Sequence, residues 1–341
     1  MDLKKFKLGV GPMSPDVVDI CLEYSKVRDF PIMIIASRNQ VDTNSGYSFT
    51  TTELVDFIKS NINYDPNRVL ICRDHCGPYY GDIDSKLSVD DALKNCINTI
   101  ESDIQNGFDL IHVDISRVAK EKKYTIAHQL INHILKLNPN MMLEFGSEDN
   151  LSVEENNNQI QYDVEFSRLY PAKIKFVVGR TGSLTKHAQV GHFSVEDNIK
   201  LAEVIHKHGF LFKEHNADYL TEQDIVLRKQ AGVDSLNIAP QLGAIHTKVL
   251  TALGKEFENE FNTFKKYVLE KEVWKKWITA DVTDDETKLI VSGHYFLNTD
   301  EAKQLVEKID TAQFKTNLRS DIFATLDIYN KGLTNEHTEQ N

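Results

Sequence analysis

An alternation of short apolar runs with amphipathic helical segments recurs eight times along this 341-residue sequence. Apolar runs of this length, bounded by turn residues, are typical of buried strands. The eight predicted strands are 6–11, 31–37, 68–75, 108–116, 141–146, 174–180, 210–216 and 233–240. Eight strand–helix units within about 240 residues match the size of a (β/α)8 barrel, the TIM barrel. We therefore predict an α/β fold with such a barrel over residues 1–254.

Local signals mark where several of the predicted helices begin and end. Thr50 with Glu53, and Ser194 with Asp197, have the spacing of an N-terminal cap, in which a side-chain oxygen accepts from a free backbone N–H. Glycines that favour a left-handed helix end directly precede three predicted strands: Gly107, Gly209 and Gly232. A doubly wound open sheet is the alternative fold. However, the segment GVGPMSPD at the first strand lacks the G-x-G-x-x-G spacing of a phosphate-binding loop.

The predicted barrel is interrupted by two long loops and followed by a helical region. Residues 147–168 and 180–193 are expected to be loops over the strand ends, where lids often lie. Residues 255–332 have the pattern of helices with aromatic side chains, which predicts a C-terminal helical extension packed on the barrel. Residues 333–341 are expected to form a disordered tail.

The composition excludes several kinds of partner. The formal net charge is -12, and the chain has no stripe of Lys and Arg side chains of the kind that binds nucleic acid. The segment MDLKKFKLGVGPM has no apolar run long enough for a signal peptide or an anchor, so we expect a cytoplasmic protein without a membrane partner. The cysteines lack the spacing of a zinc ribbon or a secreted scaffold, which favours reduced thiols: Cys21, Cys72, Cys76 and Cys96.

Polar side chains gather at the C-terminal ends of the predicted strands. The segment RVLICRDHC, for example, runs from an apolar strand directly into three ionisable residues. A lone Asp-His pair would be read as a salt bridge in a loop, but catalytic groups of a (β/α)8 barrel collect at this end of the strands. A set confined to one end therefore indicates a functional site. Its members are Ser37, Asn39, Arg73, Asp74, His75, Asp114, Ser116, Glu144, Arg180, His187, His215 and Asn237.

Three of the histidines stand at or just beyond the ends of three predicted strands. Three neutral imidazoles with one open position make a catalytic zinc site, which can polarise a carbonyl and stabilise a developing enediolate. We therefore predict one bound Zn2+ with the ligands His75, His187 and His215. His192 and His246 lie near the predicted barrel mouth and receive no ligand role.

Several segments resemble a known family in their order and spacing. They are IASRNQVDTNSGYSFTTTELVDFI, RDHCGPYYGD, DLIHVDIS, KHAQVGHF, FKEHNADYLT and LNIAPQLGAIHTKVLTAL. Together they are similar to the proteins known as the non-catalytic subunit of D-tagatose-1,6-bisphosphate aldolase, which are relatives of the class II, zinc-dependent ketose-bisphosphate aldolases. The resemblance covers nearly the whole chain. Its most specific parts are the Asn-Gln…Gly-Tyr stretch, the Asp-His-x-Gly-Pro turn and the His-x-x-Asp-Tyr turn.

The resemblance implies roles for individual residues. In class II aldolases an Asp-His pair ends strand three, the Asp moves a proton at the substrate hydroxyl and the His binds zinc, which implies these roles for Asp74 and His75. Glu144 is similar to the aldolase glutamate close to the metal. Asn237 is similar to the asparagine that holds the enediolate, and Ser37 would help to orient it. The zinc ligands that the resemblance implies are again His75, His187 and His215.

One segment departs from the aldolases. Their third histidine is followed by a loop of small residues that binds phosphate through backbone N–H groups, whereas this chain has HNADYLT with the bulky Tyr219. Asp218 and Tyr219 offer an acceptor and a hydroxyl, which suit the hydroxyls of a sugar. Asn39 and Asp114 are further predicted substrate contacts. A phosphate would lie against a basic side chain elsewhere, for which the candidates are Arg73, Arg180 and Lys186.

The leading functional prediction is a zinc-dependent carbon–carbon lyase of the aldol type that acts on a ketose or ketose phosphate. A sugar or sugar-phosphate epimerase on the same site is the nearest enzymatic alternative, because a base beside a metal-bound substrate can also drive epimerisation. The resemblance implies a third alternative, a non-catalytic subunit that stabilises a class II tagatose-bisphosphate aldolase. The partners would be a small sugar ligand and either further copies of this chain or a catalytic aldolase subunit.

Overall fold

Eight parallel strands close into a barrel in the computed structural model, which describes residues 2–43, 46–81, 84–146, 153–182, 191–278 and 284–334. The barrel strands are β1 (Leu8–Val10), β2 (Ile32–Ser37), β3 (Val69–Cys76), β4 (Leu110–Asp114), β5 (Met142–Gly146), β6 (Ile174–Val178), β7 (Leu211–Glu214) and β8 (Ser235–Ile238). β1 pairs with β2 through Leu8 and Ile32 and with β8 through Leu8 and Leu236, which closes the sheet. The predicted (β/α)8 barrel is confirmed.

Helices alternate with the strands and cover the outside of the barrel. They are α1 (Pro15–Arg28), α2 (Thr51–Ser60), α3 (Val89–Asn106), α4 (Lys123–Leu137), α5 (Val153–Ser167), α6 (Val195–His206), α7 (Glu222–Gln230) and α8 (Pro240–Gly254). Thr50 and Glu53 form a reciprocal capping box at the start of α2, as their spacing predicts. Gly107 ends α3 with a φ of 82°, a left-handed conformation that glycine adopts without steric cost.

Side chains alternate between the two faces of each strand, and this alternation divides the core into an outer and an inner part. The outer part packs between the strands and the helices. The inner part is an apolar cluster that fills the barrel interior near the N-terminal ends of the strands. It consists of Leu3, Phe6, Met33, Ile35, Leu70, Cys72, Leu110 and Phe176. Leu3 and Phe6 precede β1, so the start of the described chain packs into the N-terminal end of the barrel. Polar side chains that face inward are therefore accommodated nearer the opposite end.

Within the described residues, four further α-helices follow the barrel: α9 (Glu258–Glu270), α10 (Asp285–Ser292), α11 (Asp300–Val306) and α12 (Thr311–Thr334). α12 packs against α1, α7 and α8, and α10 packs against α8 and α9. α12 includes the first two residues of the predicted tail, while residues 335–341 lie outside the described part of the chain. None of the described helices is long and apolar enough to cross a membrane.

The prediction of a long loop over residues 147–168 is wrong for most of that segment. α5 occupies Val153–Ser167, and residues 147–152 are outside the described ranges. The buried side chains Ile160 and Val164 lie four residues apart, which is the spacing of one helix face. A run of asparagines just before them, at positions 156–158, is typical of loops and obscured this short apolar pattern.

Candidate metal centre and active site

Four side chains that suit a divalent metal converge at the C-terminal end of the barrel. Asp74 and His75 lie near the end of β3, His112 lies on β4, and His215 directly follows β7. One ligand atom from each residue can be chosen so that all four atoms lie within 4.8 Å of one another. The strands of a parallel barrel end at a common face, so the fold itself brings these distant residues together.

Two carboxylates orient two of the imidazoles toward the centre of this cluster. His75 Nδ1 lies 2.7 Å from Asp114 Oδ2, while its Nε2 lies 3.7 Å from Asp74 Oδ2. His215 Nε2 lies 2.7 Å from Glu144 Oε1, while its Nδ1 lies 3.6 Å from Asp74 Oδ1. A histidine that binds a metal through one nitrogen usually donates its other N–H to a carboxylate or carbonyl, which fixes the tautomer and the ring orientation. Both histidines have this arrangement.

Glu144 is held in turn by Lys213 on β7. Lys213 Nζ donates to Glu144 Oε2 at 2.6 Å, and both side chains are buried inside the barrel. Burial raises the pKa of Glu144, but the charge of Lys213 and the hydrogen bond with His215 outweigh burial and lower the pKa to about 2. The carboxylate therefore stays ionised at neutral pH and accepts the N–H of His215. This contact places Glu144 behind a candidate ligand, where it positions the imidazole.

The backbone of His75 is left-handed, with a φ of 47°. A non-glycine residue in this region costs on the order of 1–3 kcal/mol, and such residues concentrate at ligand and active sites. The pairing of β3 with β4 shifts register between Arg73 and Cys76, on either side of His75. The turn brings the His75 backbone N–H to 3.3 Å from His112 Nδ1. The unfavourable backbone thus coincides with the point at which three candidate ligands meet.

Two buried polar atoms of the cluster have no hydrogen-bond partner among the described residues: Asp74 Oδ1 and His112 Nε2. Buried polar atoms of native proteins are nearly always paired, so such a pair of atoms indicates that the site binds something further. Burial raises the pKa of Asp74, but the charges of His75 and His215 hold it well below its usual value. An ionised carboxylate among three imidazoles fits a Zn2+ ion, which takes nitrogen and oxygen ligands.

Asn237 lies at the end of β8 and lines the same cavity. Its Oδ1 and Nδ2 are both buried and lack a hydrogen-bond partner within the described structure. Gly9 on β1 leaves room for this side chain, because a Cβ at position 9 would collide with Asn237 Oδ1 and would lie 2.9 Å from Ile35 Cγ2. An amide with both groups unused at a cavity wall is suited to bind a polar ligand.

Gly9→Ala is therefore expected to lower turnover by roughly 10²-fold, the cost of displacing a substrate-positioning group by about 1 Å. The zinc content should stay unchanged, because the atoms nearest to the added Cβ belong to Asn237 and Ile35. Gly254→Ala is the matched control. Gly254 lies at the C-terminal end of α8, far from Asn237 along the chain, and an added Cβ there would meet the side chain of Leu305. Turnover of Gly9→Ala equal to that of this control would remove Asn237 from the substrate site.

A cavity of about 590 Å³ opens above the cluster. Predicted site residues that line it are Ser37, Asn39, Asp74, His75, Ser116, His215, Asp218 and Asn237. Two basic side chains, Arg117 and Lys276, also line the cavity, and both are exposed. Tyr47, Trp277 and Tyr295 add aromatic surface, and the last two come from the region after the barrel. The cavity therefore combines polar groups at its base with cationic and aromatic groups nearer solvent.

Arg73 does not contact this cavity, and its position corrects the prediction that it binds substrate or phosphate. The alternation along β3 turns Arg73 outward when Asp74 faces inward. Its guanidinium forms two hydrogen bonds of 2.7 Å with the carboxylate of Asp103 on α3, and both side chains are fully buried. It also donates to the carbonyl oxygens of Ala36 and Val41. Arg73 therefore ties the barrel wall to α3.

Three other predicted residues have positions that limit their roles. Asp218 Oδ1 accepts from the backbone N–H groups of Ala239 and Gln241 at 3.0 and 2.8 Å, so it fixes the start of α8. Burial raises the pKa of Asp218 to about 7. Arg180 is half-buried after β6 and is not among the described residues that line the cavity. His187 and Lys186 fall within 183–190, outside the described ranges.

His112 and Lys213 are functional candidates outside the predicted set. Each lies two residues before a predicted site residue, His112 before Asp114 and Lys213 before His215. Side chains two apart on a strand share a face, so the positions of Asp114 and His215 in the sequence already indicate both. His246 is buried on α8 beside Asp16, with 3.7 Å between Nε2 and Oδ2, and is not part of the cluster.

The fold and the cluster define a (β/α)8 barrel protein with a candidate divalent-metal centre at the C-terminal ends of its strands. Residues 8–134 match the family model described as "D-tagatose-1,6-bisphosphate aldolase subunit GatZ/KbaZ-like", and the resemblance that the sequence suggests is thereby confirmed.

Solved structures share the fold at low sequence identity. A probable tagatose 6-phosphate kinase from Sinorhizobium meliloti is 16% identical with a TM-score of 0.78, and the match covers 96% of this chain and 100% of that one. The fructose-bisphosphate aldolase of Campylobacter jejuni is 13% identical with a TM-score of 0.56, over 97% and 92% of the two chains. The YdjI aldolase of Escherichia coli is 10% identical with a TM-score of 0.54, over 98% and 94%.

Proposed function

We propose that the protein is a metal-dependent lyase of the aldol type that acts on a ketose or ketose phosphate. The observation that carries this proposal is the convergence of Asp74 with three imidazoles, two of which are oriented by carboxylates on their other nitrogens. Zinc bound there would polarise the substrate carbonyl and favour the negative charge that develops during cleavage of the carbon–carbon bond. His75, His112 and His215 would hold the ion. His187 keeps its predicted ligand role as an untested proposal.

The remaining chemistry falls to side chains around the cluster. Asp74 would accept the proton of the hydroxyl whose carbon becomes the aldehyde of the leaving fragment. Asn237 would donate through Nδ2 to the oxygen that gains charge, with the Ser37 hydroxyl beside it in the cavity wall. For a phosphorylated ketose, the exposed Arg117 and Lys276 replace Arg73 as the candidate phosphate contacts.

A paired measurement of metal content and products tests the proposal. Purified protein should contain about one zinc ion per chain, and each of His75→Ala, His112→Ala and His215→Ala should lower that content. His187→Ala decides whether that residue is also a ligand. His133→Ala is the control, because this imidazole lies on α4 and pairs with Glu101 at 2.9 Å. Stoichiometric zinc in a variant that carries all three substitutions, at His75, His112 and His215, would refute the ligand assignment.

The products should be analysed after incubation with each of three substrates: D-tagatose, its 6-phosphate and its 1,6-bisphosphate. A three-carbon aldehyde and a three-carbon ketone would support cleavage. A stereoisomer of the starting sugar, without fragments, would instead favour the epimerase alternative on the same site. Preference for the phosphorylated sugars that is lost in Arg117→Gln or Lys276→Gln would place the phosphate at the cavity mouth.

A non-catalytic subunit of a class II aldolase is the second candidate, because the matching family model is described as a subunit. In that case the chain would act by binding and stabilising a catalytic barrel. Co-expression with the class II tagatose-bisphosphate aldolase of the same organism, followed by size measurement, separates the two functions. A stable complex in which only the partner needs intact metal ligands for turnover would favour the subunit role.

A further inference from the structure

The start of α8 faces the cavity, and a side chain of the same chain already binds it. Asp218 Oδ1 accepts from the backbone N–H of Ala239 at 3.0 Å and from that of Gln241 at 2.8 Å. Pro240, which lies between them, has no N–H to donate. Asp218, Ala239 and Pro240 all line the cavity. The carboxyl group of Asp218 therefore occupies the N–H groups that a ligand would otherwise meet at this helix end.

This position is one at which barrels of this kind often bind phosphate. The N-terminus of a helix favours an anion, and in (β/α)8 barrels the loops after strands seven and eight frequently form a phosphate site with a helix N-terminus. Here Asp218 lies in the loop after β7, and Ala239 lies between β8 and α8. We call the place formed by Asp218, Ala239 and Gln241 the α8 corner. Its backbone suits a phosphate, but the chain fills it with its own carboxyl group.

The turn that carries Asp218 is held in place. Asn216 and Tyr219, on either side of Asp218, have left-handed φ values of 56° and 62°. The carbonyl oxygen of Ala217 accepts from the hydroxyl of Tyr329 on α12 at 2.6 Å. The side chain of Asp218 is itself buried. A ligand would have to break these contacts in order to displace the carboxyl group from the α8 corner.

An unpaired amide beside the α8 corner indicates that a ligand binds next to it. Asn237 is buried at the end of β8, and its Oδ1 and Nδ2 have no hydrogen-bond partner among the described residues. His215, a candidate metal ligand, lies three residues before Asp218. A ketose whose C2 carbonyl is bound at the metal centre has its C1 one bond away, so we assign the α8 corner to the C1 end. The exposed Arg117 and Lys276 are then left for the other end of the sugar.

We propose that Asp218 is a specificity-determining residue that excludes a phosphate at C1 of the substrate. The substrate class is then a ketose with a free C1 hydroxyl, with or without a phosphate at its other end. This inference rests on the proposed function, which sets the orientation of the sugar. A phosphate dianion in the α8 corner would meet a carboxylate and two N–H groups that are already bound, whereas a hydroxyl can donate to the carboxylate.

The order in which the wild type binds sugar phosphates tests the inference. The probes are the 1-phosphate, the 6-phosphate and the 1,6-bisphosphate of D-tagatose, measured by calorimetry on zinc-loaded protein. A pH of about 8 is suitable, because burial raises the pKa of Asp218 to about 7. The bisphosphate should bind about 10-fold more weakly than the 6-phosphate, because its second phosphate meets a like charge. Bisphosphate binding as tight as that of the 6-phosphate, or tighter, would overturn the inference and leave the proposed function standing.

Asp218→Ala should reverse this order. It removes the carboxyl group and opens both N–H groups of the α8 corner, so the dissociation constants of the 1-phosphate and the bisphosphate should fall roughly 10-fold, the gain from a charge-assisted hydrogen bond. Those of D-tagatose and its 6-phosphate should not fall. Asp310→Ala is the matched control. Asp310 also accepts from an N–H at a helix start, that of Gln313 at 2.9 Å, but it is exposed and is not among the described residues that line the cavity.

Inorganic phosphate separates failure of the inference from failure of the proposed function, because its binding does not depend on how a sugar is oriented. Asp218→Ala should bind it about 10-fold more tightly than wild type and Asp310→Ala do. If wild type binds none of the sugars, the proposed function fails and inorganic phosphate decides the inference. Equal binding of inorganic phosphate by the three proteins would overturn it. If Asp218→Ala does not fold, the order of the sugar phosphates in the wild type decides alone.

Discussion

Asp74→Asn is expected to lower turnover by about 10²–10⁴-fold, the range for loss of a general base. The amide has nearly the same shape as the carboxylate but cannot accept the substrate proton. Fold and zinc content should be retained, because the three imidazoles around Asp74 remain in place. Steady-state turnover of the preferred ketose, measured with zinc content and thermal unfolding on the same preparation, checks all three expectations.

Asp109→Asn is the matched control for this substitution. Asp109 is half-buried directly before β4, at the opposite end of the barrel, and its Oδ2 accepts from the Ile71 N–H at 2.8 Å. An amide oxygen can still accept that bond, so turnover should stay close to that of the wild type. Wild-type turnover in Asp74→Asn would reduce Asp74 to a structural ion-pair partner. Loss of zinc in this variant would instead make Asp74 a ligand and leave the base unassigned.

Arg73→Ala is expected to lower the free energy of unfolding by about 3–5 kcal/mol, because it leaves the Asp103 carboxylate buried and unpaired. Both side chains are fully buried, and the two hydrogen bonds between them are 2.7 Å long. The substitution also removes donors from the carbonyls of Ala36 and Val41, which flank the loop that carries Asn39. Chemical denaturation monitored by circular dichroism measures the loss.

Arg28→Ala serves as the control for the stability measurement. Arg28 also forms a bidentate pair, with Asp327, but the two side chains are 43% and 32% exposed. Water can solvate the carboxylate that remains, so the loss of stability should be far smaller than for Arg73→Ala. Similar losses in the two variants would contradict a structural role for the buried pair. A change in sugar binding by a stably folded Arg73→Lys variant would restore Arg73 to the substrate site.

The fold could be predicted almost completely from the sequence, because the two patterns that indicate it, apolar strand runs and helix caps, are both local. Seven barrel strands fall within a predicted apolar run, and β3 extends one residue beyond its run, to Cys76. The capping residues at Thr50 and Gly107 act within a few residues of their own position. The helix α5 was missed because its apolar face is short and its first half is rich in asparagine. Local composition there outweighed the spacing of Ile160 and Val164.

The site could be predicted less completely. Whether a residue belongs to it depends on the direction in which its side chain faces and on the residues of other elements that the side chain contacts. Asp74, His75, His215 and Asn237 stand at strand ends, where position alone selects them. Arg73 stands at the same place in the sequence, but its partner Asp103 lies on another element and no local pattern reveals that pair. His112 lies inside an apolar strand, where a histidine resembles ordinary core until Asp114 fixes the inward face.

The proposed function depends on a metal ion held by histidines at the C-terminal end of the barrel. A crystal of the purified protein should be measured with X-rays on either side of the zinc absorption edge. We expect one anomalous zinc peak per chain, bounded by the imidazoles of His75, His112 and His215. A zinc peak elsewhere, or no zinc at this cluster in protein that still cleaves a ketose, would contradict it.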